Sequence, residues 1–295
     1  VLHRAALESR ALKRCLARAV QSGAPFDLVH TGHLPAPRRL PVPFTLTVHD
    51  LRSLDFGGAS LARRILGRRV LRDAFSRARR VLYVSEAMRA RIAEEFPETA
   101  PKLDLIGNGE DHLPRLPRAP TASPFMLHVG HVEPRKNLSL IIEAMDRFPA
   151  LPRLVLAGAG KVGAIPRLIA AAGHRGLSAK VELLGTVSDD TLARLYSTAA
   201  CAVFPSVIEG FGIGPAEALH AGCPVAASAI PAHLEVSGRG AVLFSPSSPD
   251  DFARAVMECV GVSTAPVPNA TGHFWDKCAA RWYEALLRSS EPAAQ

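Results

Sequence analysis

No apolar run in this chain of 295 residues approaches the ~18 residues that span a bilayer. The opening stretch is amphipathic and Arg-rich, without the long apolar core of a signal peptide. Cysteine is sparse: Cys15, Cys201, Cys223, Cys259 and Cys278 stand singly, with no CxxC pair. That argues against a thiolate metal site or a disulfide framework. An odd number of isolated thiols fits a reducing compartment, where Cys in apolar surroundings serves as a small hydrophobe. Also missing are a Gly-x-Ser-x-Gly elbow, an HExxH pair and a P-loop, which speaks against hydrolase, zincin and NTPase chemistry. Most histidines, His30 and His33 included, lack an acidic or His companion at ligand spacing and read as structural. The expectation is a cytoplasmic protein without structural metal.

Acidic charge is short in one region. Residues 1–120 hold 21 Lys+Arg against 12 Asp+Glu, whereas the other 175 residues hold 14 against 15. The excess is densest through Arg63, Arg64, Arg68, Arg69, Arg72, Arg77, Arg79 and Arg80. Such a surface attracts anionic lipid headgroups, nucleic acid or a phosphate-bearing substrate, and a merely solvated helix face explains it equally well. Nucleic acid is the weakest of these, because only Phe75 and Tyr83 interleave as aromatics and no nucleic-acid motif is present. An anionic membrane surface at the inner face is the expected partner of this first part.

What is there alternates. Residues 3–20 read as a helix entering the strand Phe26–His30, and Phe44–Asp50 is a second, β-branched strand. A helix over 61–79 leads to a strand at 81–84, then to Ser85 as N-cap with Glu86 in the first turn, and to a strand at 103–106. Pro114, Pro117, Pro120 and Pro124 without apolar periodicity mark 113–124 as a linker. Strands follow at 125–129, 153–157, 180–184, 200–204, 224–227 and 241–244, with helices at 138–147, 162–172, 189–197 and 215–221. A Pro/Gly/Thr-rich loop at 261–272 precedes a last amphipathic helix around 275–288. The fold class is therefore α/β: two Rossmann-like, doubly wound parallel-sheet domains at 1–115 and 121–274, followed by a C-terminal helical segment at 275–295. The chain opens on Val and a helix, without the strand and Gly-rich turn that normally begin such a domain, so the first domain is expected to be incomplete.

Chemistry concentrates in two stretches. In Phe204–Leu219 two carboxylates, Glu209 and Glu217, lie eight positions apart across a Gly-rich turn, between an apolar strand and a helix start with Pro215 near its first position. Backbone N–H groups and the positive helix end suit a phosphate or sugar there, and the two carboxylates can grip different hydroxyls of one ligand. In Leu127–Asn137 a strand ends at Gly130, and a short loop delivers Arg135, Lys136 and Asn137 to the next helix. Two cations beside helix N–H groups form a diphosphate clamp that needs no divalent metal. An exposed basic helix cap is the plainer alternative, but the carboxyl end of a parallel strand is where open α/β sheets bind ligands. His49 ends the second strand, placed either to bond a substrate hydroxyl or as a satisfied strand-end histidine. Gly158-Ala159-Gly160-Lys161-Val162-Gly163 is a nominal dinucleotide fingerprint, but its nearest acidic partner, Glu182, begins its strand rather than ending it. The glycines read better as a tight turn or a close backbone approach.

With these stretches in hand, the chain resembles the retaining, nucleotide-sugar-dependent glycosyltransferases of the GT-B fold, family 4, which implies that the two domains face a cleft and that the helix at 275–295 packs back toward the first. The resemblance runs from about residue 25 to the C-terminus. It rests on Thr47–Leu51, Val84–Ala87, Asn108-Gly109, Gly130–Asn137, Phe204–Glu217, Gly222–Val225 and Pro231–Val236. It implies that Arg135 and Lys136 hold the donor diphosphate, with Gly130 and Asn137 in the same loop. It implies that Glu209 contacts the donor sugar, that Phe211, Gly212 and Ile213 offer backbone N–H groups, and that Glu217 bonds the ribose. His49, from the opposite domain, would bond the sugar across the cleft. The implied reaction moves a hexose to a lipid-linked or polysaccharide acceptor with retention, and the form of the Glu133–Asn137 loop leans toward GDP-mannose. No cofactor or metal is implied. The missing first strand keeps a non-catalytic nucleotide-sugar-binding relative or partner subunit open as the alternative, ahead of a nicotinamide oxidoreductase.

Overall fold

The computed structural model describes residues 2–23, 25–32, 36, 40–51, 54, 61–238, 240–262, 272 and 274–291, with backbone alone for 2–10 and 63. His33 and most of the 261–272 loop lie outside the described residues. The chain divides into two compact units, Val1–Asn108 with Asp276–Gln295, and Gly109–Trp275.

The first unit carries strands β1 (Val29–Thr31), β2 (Phe44–Val48), β3 (Arg80–Tyr83) and β4 (Leu103–Leu105), all parallel and in that spatial order. Its helices are α1 (Leu2–Gln21), α2 (Leu61–Arg77) and α3 (Glu86–Glu95). Every residue of β2 is buried, as a parallel strand covered on both faces requires. Ser85 caps α3 as the sequence predicts, its Oγ accepting from the Met88 amide at 3.0 Å. His30 is structural: Nδ1 lies 2.8 Å from Thr45 Oγ1 and Nε2 3.1 Å from Thr47 Oγ1. The last helix, which begins at Trp275 and ends at Ser290, belongs to this unit from Asp276 onward. There Trp282 meets the His30 ring edge-on, and Arg288 reaches Asp104.

The second unit is a six-stranded parallel sheet. Its strands are β5 (Phe125–Val129), β6 (Arg153–Ala157), β7 (Val181–Gly185), β8 (Cys201–Phe204), β9 (Val225–Ser228) and β10 (Ala241–Phe244). Their spatial order is β7-β6-β5-β8-β9-β10. Strand order runs outward one way from β5 to β7 and the other way from β8 to β10. The topological switch point, the crevice where doubly wound sheets bind ligands, is thus between β5 and β8. Helices α4 (Leu138–Arg147), α5 (Ala164–Gly173), α6 (Asp189–Thr198), α7 (Ile213–His220) and α8 (Pro231–Ser237) connect the strands, and α9 (Pro249–Val260) follows β10. Apolar side chains fill both faces of the sheet, Met126, Leu154 and Val203 on one, Leu127, Val155 and Phe204 on the other.

Two helices, α8 and α9, are not foreseen in the sequence reading. The signal for α9 was present: Ser248 accepts from the Asp251 amide at 3.1 Å, Pro249 opens the helix, and Asp250 and Asp251 sit in its first turn. The proline-bearing stretch 113–124 is not a loose connection. Leu113 is buried, and Arg118 donates to the carbonyls of Tyr196 and Ala199 at 2.6 and 2.7 Å, so the segment adheres to the second unit.

Candidate functional site

Both chemistry-bearing stretches emerge at the switch point. The loop after β5 carries Gly130–Asn137, and the loop after β8 leads through Glu209 into α7. They are tied by backbone, since the Val207 amide donates to the Arg135 carbonyl at 2.9 Å. Arg135 and Lys136 lie in a single 3₁₀ turn, Pro134–Lys136. Asn137 ends that turn in the left-handed region (φ 53°), a conformation Asn tolerates, and its amide donates to the Pro246 carbonyl at 2.8 Å. Its role here is to fix the loop.

The cations meet Glu209. Lys136 Nζ donates to Glu209 Oε1 at 2.7 Å, Arg135 Nη1 bonds Glu209 Oε2, and Ser206 Oγ donates to Oε1 at 2.8 Å. Burial pushes the Glu209 carboxyl up, but Lys136, Arg135 and the hydrogen bonds outweigh it and hold it at about 2. On the other side of Arg135, Glu133 is buried and forms ion pairs with Arg135 Nε at 2.6 Å and Lys161 Nζ at 2.6 Å. Three cations against two carboxylates leave the cluster with one net positive charge, a suitable cradle for an added anion.

Sequence reasoning did not foresee Glu133, Lys161 or Ser206 in this cluster. Lys161 arrives from the Gly158–Gly163 loop, where the Val132 amide donates to Ala159 and the Lys161 amide to Val132. That loop is spent on packing: a Cβ on Gly158 (φ 143°) would stand 2.2 Å from the Gly130 carbonyl oxygen. Glu182, early in β7, pairs with Arg153 at the surface. The dinucleotide fingerprint is therefore a close backbone approach.

Glu217 sits in α7 and is nearly buried, with His112 Nε2 3.5 Å from its Oε1. Burial first, and Asp189 second, raise its carboxyl to about 7. The Tyr196 hydroxyl interacts with it without reaching hydrogen-bond geometry. Glu209 and Glu217 thus differ in kind: one is held as an anion by cations, the other has no cation pressed against it. Gly212 (φ 91°) is the N-cap of α7, Phe211 is buried, and Ile213, the first helical residue, is partly exposed. A Cβ on Gly214 would come 2.5 Å from the Phe204 ring, so only glycine lets α7 lie this close to β8. Two further histidines, His128 on β5 and His233 on α8, are buried beside the cluster, and desolvation lowers both to about 4. His49 follows β2 at the carboxyl end of the first unit's sheet and is exposed. Among the described residues no group of three or more His, Cys, Asp or Glu side chains could hold a metal ion.

A doubly wound sheet with a cationic cradle and a helix N-terminus at its switch point defines a nucleotide- or phosphate-binding α/β protein. The comparisons with known proteins carry this further. Residues 111–260 match the family described as glycosyl transferases group 1, and residues 2–112 match glycosyltransferase family 4, so the chain belongs to the group 1, family 4 glycosyltransferases. The O-antigen chain mannosyltransferase RfbU of Salmonella typhimurium is 30% identical over 72% of this chain and 59% of its own length. The D-inositol 3-phosphate glycosyltransferase of Mycobacterium avium is 28% identical over 83% and 63%. The chain thus spans about three fifths of these curated relatives. Among solved structures, sucrose-phosphate synthase of Thermosynechococcus elongatus superposes with a TM-score of 0.71 at 22% identity, covering 92% of this chain and 74% of that one. HepE of Anabaena, solved with UDP and glucose, gives 0.65 at 18%, covering 93% and 76%. The two parallel-sheet units have the GT-B architecture.

Proposed function

We propose that the chain transfers a hexose from a nucleotide-sugar donor to a lipid-linked or polysaccharide acceptor, with retention of configuration and without a metal. The observation that carries the reading is the cluster of Arg135, Lys136 and Glu209 at the β5–β8 switch point, with Glu217 one helix start away. A donor diphosphate fits the cations, a ribose diol fits a carboxylate acceptor at Glu217, and a sugar fits the mixed ring around Glu209. His49 is assigned to the same sugar by family resemblance alone. The mannosyltransferases among the relatives support mannose as the sugar, and GDP as the nucleotide is assigned from the form of the Glu133–Asn137 loop by family resemblance alone.

The chemistry needs little from the protein beyond placement. Arg135, Lys136 and the first-turn amides of α7 stabilise charge building on the departing diphosphate, which itself takes the acceptor proton. A thermal-shift panel of UDP-, GDP-, ADP- and dTDP-sugars, followed by product analysis with acceptor extracts, tests this. Stabilisation by one nucleotide series together with sugar transfer is expected. Donor binding without transfer would support the non-catalytic binding module, and no response to any donor would sink the reading.

The proposed partner of the first unit is an anionic membrane surface. Helix α2 exposes Leu61, Ile65 and Leu66 beside Arg64 and Arg69, the mixture that settles into a headgroup layer. The chain would thus work at the cytoplasmic face, and no helix among the described residues is long and apolar enough to cross a membrane.

A further inference from the structure

β5 and β8 are in register only at Met126↔Cys201 and Leu127↔Ala202. One residue further, backbone pairing across the switch point stops, and His128 occupies that position, wholly buried. Its Nδ1 lies 2.8 Å from the Val203 carbonyl oxygen, so the side chain bridges the strands where the ladder ends. A carbonyl only accepts. Nδ1 therefore carries the ring proton, and Nε2 presents a lone pair.

That lone pair is the unusual feature. Among the described residues Nε2 has no hydrogen-bond partner although it is buried, a state that is costly in general. It converges with the Lys136 ammonium on Gly130: a Cβ built there would stand 3.8 Å from His128 Nε2 and 3.7 Å from Lys136 Nζ. Desolvation, and then Lys136 itself, keep the imidazole neutral at pH 7, so the ammonium faces an acceptor and not a second cation. An ammonium has three N–H groups, and one is committed to Glu209 Oε1.

We propose that His128 is a positioning residue for Lys136: its Nε2 lone pair, unbonded in this structure, is the acceptor toward which one ammonium proton turns when the donor binds, while Glu209 holds a second and the third is left directed at the donor diphosphate. The last element rests on the glycosyltransferase reading above; the Glu209 bond is present in the structure, and the His128 element rests on the common approach of Nε2 and the ammonium to Gly130. Asparagine and glutamine separate this role from a structural one. His128→Asn keeps a donor near the Nδ1 position, for Val203, and loses the acceptor. His128→Gln extends an acceptor to the Nε2 position and loses the Val203 bond. If His128 positions Lys136, kcat/KM for the donor falls about tenfold or more in His128→Asn and stays within about threefold in His128→Gln, with both thermal midpoints close to wild type. A merely structural histidine gives the reverse order, which would overturn the proposal.

A readout without donor keeps the two readings distinguishable and does not need either His128 variant to fold well. In protein with ¹⁵N-labelled histidine, two-bond ¹⁵N–¹H spectra report each ring tautomer, with the His128 signal told from that of His233, the other buried histidine of low midpoint, by its survival in His233→Gln. The expected result is an Nδ1–H tautomer whose Nε2 resonance moves on Lys136→Met while Nδ1 does not. An Nε2–H tautomer, or an Nε2 signal indifferent to Lys136→Met, overturns the inference whatever the transfer assays show. A positive spectrum with no transfer from any donor would overturn only the functional reading.

Discussion

At the scale of single residues, charge is arranged by partner and not by residue type. Lys136 and Arg135 share Glu209, so removing one cation leaves the carboxylate with the other and with Ser206. Lys136→Ala is therefore expected to lower turnover by about 10²–10³-fold, the scale of losing one charge-stabilising donor, while the unit stays folded. Near-wild-type rates would remove the clamp assignment. Glu217 behaves oppositely. Its folded carboxyl, at about 7 against 4.5 in the unfolded chain, binds its proton more tightly when folded. That stability is fully present below pH 4.5 and lost as pH rises to 7, by at most about 3 kcal/mol. His128 and His233, lowered to about 4, act with the other sign over pH 6.5 to 4, so the difference between proteins is the useful quantity. Denaturant midpoints at pH 5 and pH 8 should show Glu217→Gln gaining on wild type at the higher pH. Equal differences at both would show that Glu217 titrates normally.

At the scale of elements, the site depends on backbones that approach too closely for a side chain. Gly158 lies against the Gly130 carbonyl and has a positive φ, so Gly158→Ala brings both a clash and a backbone penalty. A loss of about 3 kcal/mol is expected, because neither partner is a flexible side-chain end. Since the same loop carries Lys161 to Glu133, the variant should also weaken donor binding; a stable, fully active Gly158→Ala would contradict this packing account. The element scale is also where the sequence was most legible. Strands 125–129, 153–157 and 241–244 and helix 138–147 follow from apolar runs and period alone, because buried parallel strands and amphipathic helices write their pattern locally. Helices α8 and α9 escaped, the first being one short run of seven residues.

At the scale of the molecule, charge asymmetry between the units gives the proposed membrane partner a direct test. Among the described side chains of α2, Arg68, Arg72 and Arg77 are already paired with Glu95, Glu98 and Asp73, which leaves Arg64 and Arg69 for an outside anion. Cosedimentation with vesicles containing anionic lipid is expected to fall on Arg64→Glu/Arg69→Glu. The loss should be at least tenfold at low salt, from about 1 kcal/mol per charge, and shrink as salt rises. Equal binding to neutral vesicles would instead place the attraction in Leu61, Ile65 and Leu66. The folded core should be unaffected, since these side chains are exposed.

The sequence by itself determined the α/β alternation and the two parallel-sheet units, and it singled out the residues proposed for the clamp, because apolar period, turn chemistry and the spacing of Glu209 and Glu217 are local properties of the chain. It named Arg135, Lys136 and both glutamates without showing who pairs with whom. Only the tertiary structure decided that β5 lies beside β8, which sets Glu209 on the cations, leaves Glu217 without one, and turns His128 from a strand residue into a neighbour of Lys136. Strand order is set by contacts between residues some seventy-five positions apart, as His128 and Val203 are, and no local pattern encodes those.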